Sequence, residues 1–532
     1  MFDLIDYVTK KPVVSDNLVF TGEKNPWEVV IDLETVKSKL NIDYFKSSPP
    51  FVSKYLPFLP ITDYAEFVSL KEGSTPLIRS RKIGPELGID LYFKLEFQNP
   101  TGSFKDRGSA VDLSIARELK AKAIVLASTG NMAASCACYA AAAQIPCFIF
   151  VPEATPTSKL SQAISYGGRI VQVKGTYSDA ARLAESVAKD LGFFLAGDYA
   201  FRVEGQKTAA FELIDQLFYQ TPDYVFIPMG CGTNIAAYAK GFNEYRTLGF
   251  IDNIPKLVGI EATGAASIVN SFEKNLKTIT PLQSIDTIAG AIAVNDPLDG
   301  VKALDGIYQS QGHAVAVTDK DMLEAQYLLS REEGLFVEVA SASTLAALKK
   351  LQSTVHLKGK KVVLIMTGGG LKDPSSIARI TVKPPTIYPE IKDFLALYEN
   401  AYFEGNVISF VDKNEVVFKN SPSEADLGNK LFGFFNVKYS AKHLARMREI
   451  IGKFLTKGKH ITFADVQDIV QDAMEVENVV PGGSLEVTDF EVTTGLNRKA
   501  FAKVTAKQRH SFSRSRRRRP SGRGAKCTKA CL

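Results

Sequence analysis

The chain has 532 residues, of which 45% are hydrophobic, 23% charged and 10% aromatic. At roughly 100–200 residues per domain that length calls for about three domains, with apolar content too high and net charge too low for a disordered chain. No window approaches the roughly 18 uninterrupted apolar residues of a membrane span. The opening MFDLIDYVTKKP lacks a basic segment followed by an apolar one, so no signal peptide is expected and the expected location is cytoplasmic.

The formal net charge of +6 is concentrated at one end: residues 507–532 hold ten Lys or Arg and no acid, leaving 54 basic against 58 acidic residues in the body. No nucleic-acid surface is expected on the folded part, and no function is assigned to the tail. Cys136, Cys138, Cys147 and Cys231 show no CxxC pairing, Cys527 and Cys531 lie in the tail, and the five histidines are scattered. Neither a disulfide framework nor a metal site is expected.

From about residue 90 to 370, short apolar runs alternate with helical stretches. The strand candidates are Ala123–Ser128, Cys147–Val151, Ile170–Val173, Tyr224–Pro228, Leu257–Glu261 and Lys361–Thr367. Between them run helical patterns at Met132–Ala143, Ser178–Leu191, Thr208–Phe218 and Ile235–Tyr245. Apolar strands separated by helices predict an α/β fold with doubly wound parallel sheets. The expected division is a domain over 1–380, a proline-rich linker over 381–390 (VKPPTIYPE and its surroundings), an α+β domain over 391–506 and a basic low-complexity tail over 507–532. In the second domain, strands Val407–Val411 and Glu415–Phe418 form an expected hairpin. Helices Ala441–Leu455 and Thr462–Met474 and strands Leu485–Thr493 and Ala500–Thr505 complete it.

Four segments carry chemistry. In LEFQNPTGSFKDRGS (Leu95–Ser109), Lys105 follows a Pro-Thr-Gly turn and precedes a helix expected from about Ala110. That places it on a strand-to-helix loop at the C-terminal edge of the sheet, where such folds bind ligands. A lysine that forms a Schiff base needs that placement, being partly desolvated yet within reach of a carbonyl. Taken alone, the pattern is an ordinary solvated loop lysine.

STGNMAAS (Ser128–Ser135) presents Asn131 at a second such turn, either as an amide aimed at a phenolate or carboxylate or as a helix cap. PMGCGTNIAAYAKGF (Pro228–Phe242) feeds Gly230-Cys231-Gly232-Thr233-Asn234 into a helix, a loop whose N–H groups can cradle a phosphate. It is neither GxGxxG nor GxxxxGK[ST], which argues against a dinucleotide or a nucleoside triphosphate. MTGGGLKD (Met366–Asp373) offers Thr367, able to hydrogen-bond a heterocyclic nitrogen, or a structural glycine turn.

Together and in this order the four segments resemble the fold-type II pyridoxal-phosphate enzymes, and within that group threonine synthases. Further matching stretches are SLKEGSTPLIRSRKIG (Ser69–Gly84), VEGQKTAAFEL (Val203–Leu213), TIAGAIAVNDP (Thr287–Pro297) and EGLFVEVASASTLAAL (Glu333–Leu348). The resemblance spans about residues 55–375 and implies a tryptophan synthase β-like fold with pyridoxal 5'-phosphate as cofactor. It implies that Lys105 binds the cofactor covalently and, once released, shuttles protons. Asn131 would bond the phenolate oxygen, Gly230, Cys231, Gly232, Thr233 and Asn234 would hold the phosphate, and Thr367 would face the ring nitrogen. Ser128, Thr129, Arg202 and Lys207 are the implied substrate-binding residues. The implied reaction turns O-phospho-L-homoserine and water into L-threonine and phosphate, in a homodimer.

Two departures bear on the substrate. Family members usually continue the asparagine turn with Thr-Ser, where this chain has Met132-Ala133. They usually carry Asn-Ser-x-Asn-Pro before EGQKT, where this chain reads AGDYAFR, leaving Arg202 but placing Asp198 where it would repel an anion. The alternative function is therefore a dehydratase-like β-elimination or β-replacement on another amino acid. A retired amino-acid sensor is a further alternative. KGKHITFADVQDIVQDAM and LEVTDFEVTTGLNRKAFAKVTA are similar to the regulatory domain of 2-isopropylmalate synthases, implying an amino-acid effector at the second domain.

Overall fold

In a computed structural model the described residues are 2–376, apart from 16, 17, 23, 374 and 375, together with 388–389, 391, 415–416, 441–456 and 461–462. The chain divides into two compact units, Met1–Ile377 and Ala378–Leu532. Strands of the first unit are β1 (Phe2–Asp6), β2 (Trp27–Ile31), β3 (Leu77–Arg79), β4 (Asp90–Lys94), β5 (Ile124–Ala127), β6 (Cys147–Pro152), β7 (Arg169–Val173), β8 (Phe194–Leu195), β9 (Tyr224–Pro228), β10 (Lys256–Ala262), β11 (His313–Val317) and β12 (Lys361–Ile365).

They build two α/β layers. A six-stranded sheet has the order β11-β10-β9-β12-β4-β3, parallel except for the antiparallel edge strand β3. A four-stranded sheet, β7-β6-β5-β8, is parallel throughout. Every residue of β9 and all but the first of β10 and β12 are buried, as a strand covered by helices on both faces requires. An N-terminal hairpin of β1 and β2, which carries no short-turn signal in the sequence, packs Val29 and Ile31 into the apolar cluster under the smaller sheet. Among the described residues no helix is long and apolar enough to cross a membrane.

Two helices begin earlier than their sequence pattern predicts. The lysine helix runs Lys105–Glu118, so Lys105 is its first residue rather than part of a preceding loop. The helix expected from Thr208 runs Ala200–Gln216. Both are buried around nearly their whole circumference, and so they lack the polar stripe by which a surface helix announces its start.

These two helices cross at paired glycines. A Cβ on Gly205 would lie 2.0 Å from the Arg107 carbonyl oxygen, and one on Gly108 would lie 2.5 Å from Arg202 Cγ. Contact of that kind with backbone cannot be relieved by a rotamer change. Gly205→Ala is therefore expected to lose about 3 kcal/mol of stability, the upper part of the usual overpacking penalty. The midpoint of urea unfolding measures it.

Of the second unit, the helix Ala441–Thr456 and a short antiparallel pair, Glu415–Val416 with Ile461–Thr462, are described. Thr462, from which a helix to Met474 is expected, thus lies in a strand paired with Glu415. Strand Val407–Val411, the rest of the expected helix Thr462–Met474, strands Leu485–Thr493 and Ala500–Thr505, the linker and the basic tail lie almost wholly outside the described residues.

Candidate active site

Three of the four chemistry-bearing segments follow three neighbouring strands of the larger sheet. Lys105 comes after β4, Thr367 after β12 and the Gly230–Asn234 loop after β9. The fourth, Ser128–Asn131, follows β5 of the smaller sheet. All four leave the C-terminal ends of parallel strands, the position at which open α/β sheets form their crevices.

Hydrogen bonds tie the segments together. The Phe104 N–H donates to the Thr367 carbonyl at 3.0 Å, and the Gly369 N–H to that of Gly102 at 3.1 Å. The Glu338 N–H donates to the Gly368 carbonyl at 2.9 Å, and its carboxylate accepts from Asn131 Nδ2 at 2.9 and 3.0 Å. On the other side Lys105 Nζ lies 2.9 and 3.2 Å from the two oxygens of Asp198. Burial opposes ionisation of Asp198, but the charges of Lys105 and Arg202 prevail and hold it below the usual carboxylate range.

The glycine loop has the features of an anion cradle. Gly232 adopts φ +82° and caps the helix Thr233–Thr247, and a Cβ there would lie 2.9 Å from the Asp299 carbonyl oxygen. Thr233 Oγ1 and Asn234 Nδ2 are buried without a hydrogen-bond partner among the described residues. Beside them are the free N–H groups of a helix's first turn. Orphaned buried donors cost about 1–3 kcal/mol each, a cost that a bound oxyanion removes. Burial, and then Asp198, push the Cys231 thiol up, so it stays neutral. The donor set fits a phosphate monoester.

Thr367 is buried with Oγ1 2.9 Å from Ser341 Oγ, which accepts the Gly368 N–H at 2.8 Å. Such a hydroxyl can meet a ring nitrogen as donor or acceptor. Ser341 and Glu338 were not foreseen as site residues, although both lie in the EGLFVEVASAST stretch. A Cβ on Gly368 would fall 2.1 Å from Glu338 Oε2, so glycine there makes room for the carboxylate.

Burial pushes Glu338 up to about 7, against the opposing pull of Asn131 and Lys372. The folded chain therefore holds this proton more tightly than the unfolded chain does. The resulting stabilisation is complete below about pH 4.5 and is lost as pH rises through about 7. Relative to wild type, Glu338→Gln is expected to gain on the order of 3 kcal/mol between pH 4.5 and 8. Urea unfolding at the two pH values checks it.

Two expected substrate ligands are corrected. Arg202 is fully buried beneath the lysine, paired with Asp112 at 3.0 Å and donating to the carbonyls of Gly197 and Lys105 at 2.9 and 3.1 Å. Lys207 is fully buried between Glu204 and Glu244, at 2.6 and 2.8 Å. Neither presents a free charge to a substrate, because the EGQKT segment is an interior helix whose charges neutralise one another. Ser128 and Thr129 are half-buried on their turn, and Ser128 Oγ accepts the Gly130 and Ala133 N–H groups at 3.3 Å each. Asp198, expected to repel an anion, is neutralised by Lys105. Met132 and Ala133 belong to the apolar cluster with Leu126 and Phe201, so this departure from the family wording is a matter of packing.

The fold and the site define a pyridoxal-phosphate-dependent enzyme, and the family model described as pyridoxal-phosphate dependent enzyme matches residues 68–368. A threonine synthase of Methanocaldococcus jannaschii is 45% identical over 374 residues, covering 69% of this chain and 92% of that protein. A threonine synthase of Mycobacterium tuberculosis is 38% identical over 355 residues, covering 66% and 95%. The chain belongs to the threonine synthase family. Among solved structures, maize serine racemase aligns with a TM-score of 0.51 at 25% identity, covering 57% of this chain and 89% of that one. The processed threonine deaminase isoform 2 of Solanum lycopersicum aligns at 0.53 and 24% identity, covering 69% and 97%, a likeness of fold.

Proposed function

We propose that the chain converts O-phospho-L-homoserine and water into L-threonine and phosphate. The observation that carries this reading is the 45% identity across 92% of a named threonine synthase. When bound, pyridoxal 5'-phosphate supplies an electron sink for charge developing on substrate carbon. Lys105 anchors it, Gly230–Asn234 hold its phosphate through backbone N–H groups and the orphaned Thr233 and Asn234 donors, Asn131 meets its phenolate oxygen and Thr367 its ring nitrogen. The freed Lys105 amine would move protons: off Cα, off Cβ as phosphate leaves Cγ, onto Cγ before water adds at Cβ, and back onto Cα after it. Ser128 and Thr129 remain as substrate donors from the asparagine turn.

Family resemblance supports a homodimer in the cytoplasm, and the separate similarity of KGKHITFADVQDIVQDAM and LEVTDFEVTTGLNRKAFAKVTA to the regulatory domain of 2-isopropylmalate synthases supports an amino-acid effector at the second domain. Purified protein incubated with O-phosphohomoserine tests the main reading: threonine and phosphate appear in equal amounts. Cofactor-bearing protein that releases neither from this substrate overturns it and directs attention to other β-substituted amino acids.

A further inference from the structure

Asp198 has no obvious place in the chemistry so far, yet it touches the amine on which that chemistry turns. The Lys105 and Asp198 side chains are 17% and 9% exposed, and both carboxylate oxygens face Nζ at 2.9 and 3.2 Å. The carboxylate caps no helix: Tyr199 occupies the N-cap of the helix Ala200–Gln216, without a side-chain bond. The nearby Cys231 thiol also favours its charged form. Arg202, the nearest competing cation, is taken up by Asp112, by the Gly197 and Lys105 carbonyls, by Ser109 Oγ and by Cys136 Sγ. Tyr177 and Tyr199 feel the Asp198 charge and are kept neutral by burial, and the Phe104 ring lies 5.0 Å from Nζ. The Asp198 carboxylate is thus directed at the lysine.

We propose that Asp198 is the positioning residue of Lys105: it pairs with the free amine and fixes where that amine returns after each release. The inference rests on Lys105 being the cofactor lysine. A charge-assisted hydrogen bond to a carboxylate holds an amine group in one place, and exclusion of water strengthens that contact. An amine tied up in this pair captures an aldehyde slowly, because it must leave the carboxylate before it can act as a nucleophile.

The test uses cofactor-free protein. Acylation of Lys105 by an amine-reactive ester is followed by peptide mass spectrometry between pH 6 and 10, with exposed lysines of the same digest as internal controls. Asp198→Asn is expected to raise the reactivity of Lys105 about tenfold near pH 8, since the amine is no longer tied up in an ion pair, and to speed rebinding of pyridoxal phosphate. Asp198→Glu should restore the wild-type profile, and Asp198→Ser provides a second uncharged variant should the first fail to fold. A Lys105 profile unchanged in either folded, uncharged variant overturns the proposal. Borohydride reduction of the holo-protein separates the two levels. Cofactor fixed on a lysine other than Lys105 overturns the underlying reading. Cofactor fixed on Lys105 with an unmoved profile removes Asp198 alone.

Discussion

Replacing Lys105 with alanine is expected to lower threonine formation on the order of 10³- to 10⁴-fold, the range of a lost general base and nucleophile. The structure separates this loss from a folding defect. Lys105 is the first residue of its helix and its side chain is partly exposed, so alanine disturbs neither the helix nor the core. What it leaves behind is Asp198, buried and stripped of its partner, at a cost of about 1–3 kcal/mol. Lys105→Arg keeps the positive charge against Asp198 and should retain most of that stability, yet it cannot anchor an aldehyde and should be as inactive as alanine. If both variants unfold at wild-type denaturant concentrations or close to them, and both lose turnover, the loss is chemical. Partial recovery of the alanine variant in a buffer containing a small primary amine would identify the missing group. An alanine variant retaining a tenth of wild-type turnover would place the cofactor on another lysine.

The four turns are legible in the sequence because each stands at a change of pattern. An apolar strand, a cluster of Gly, Asn, Thr or Pro and the onset of a helix mark a strand-to-helix loop wherever the chain makes one. The interior charges are not legible in that way. KDR at 105–107 and EGQK at 204–207 read as exposed polar segments, yet Arg107, Glu204 and Lys207 are fully buried. Their burial depends on partners far along the chain: Arg107 meets Glu212 105 residues away, and Asn131 meets Glu338 207 residues away. No local periodicity encodes such pairings. The same blindness misplaced the helix starts at Lys105 and Ala200, since a helix buried on all sides loses the polar face that sets its phase. It also made Arg202 look like a substrate ligand, when its guanidinium supports the lysine from below.

Arg107→Met is expected to cost about 3–5 kcal/mol, the usual penalty for leaving a buried charge without its partner. Arg107 sits two residues beyond Lys105 and forms a fully buried charge quartet with Lys94, Glu96 and Glu212. Its guanidinium bridges both glutamates: Nε and Nη2 lie 2.7 Å from Glu96, and Nη2 lies 2.8 Å from Glu212. Lys94 completes the set through Glu212 and the Thr75 carbonyl, the latter at 2.7 Å. Two cations and two carboxylates balance, and methionine leaves the interior with a net negative charge. Burial opposes ionisation of Glu96, and the Arg107 charge is the largest influence that holds it low; without that charge Glu96 should take up a proton at higher pH. The variant should therefore be least stable, relative to wild type, at neutral pH, and should recover as pH falls and protonation removes the unpaired charge. Adding Glu96→Gln should return part of the loss, since the double variant buries one cation and one carboxylate in balance, and a double-mutant cycle reads that coupling directly. The four residues join the end of β4, the lysine helix and the helix Ala200–Gln216, so turnover should fall even where the variant is folded. A loss below about 1 kcal/mol would mean that water reaches the quartet and that it does not brace the lysine.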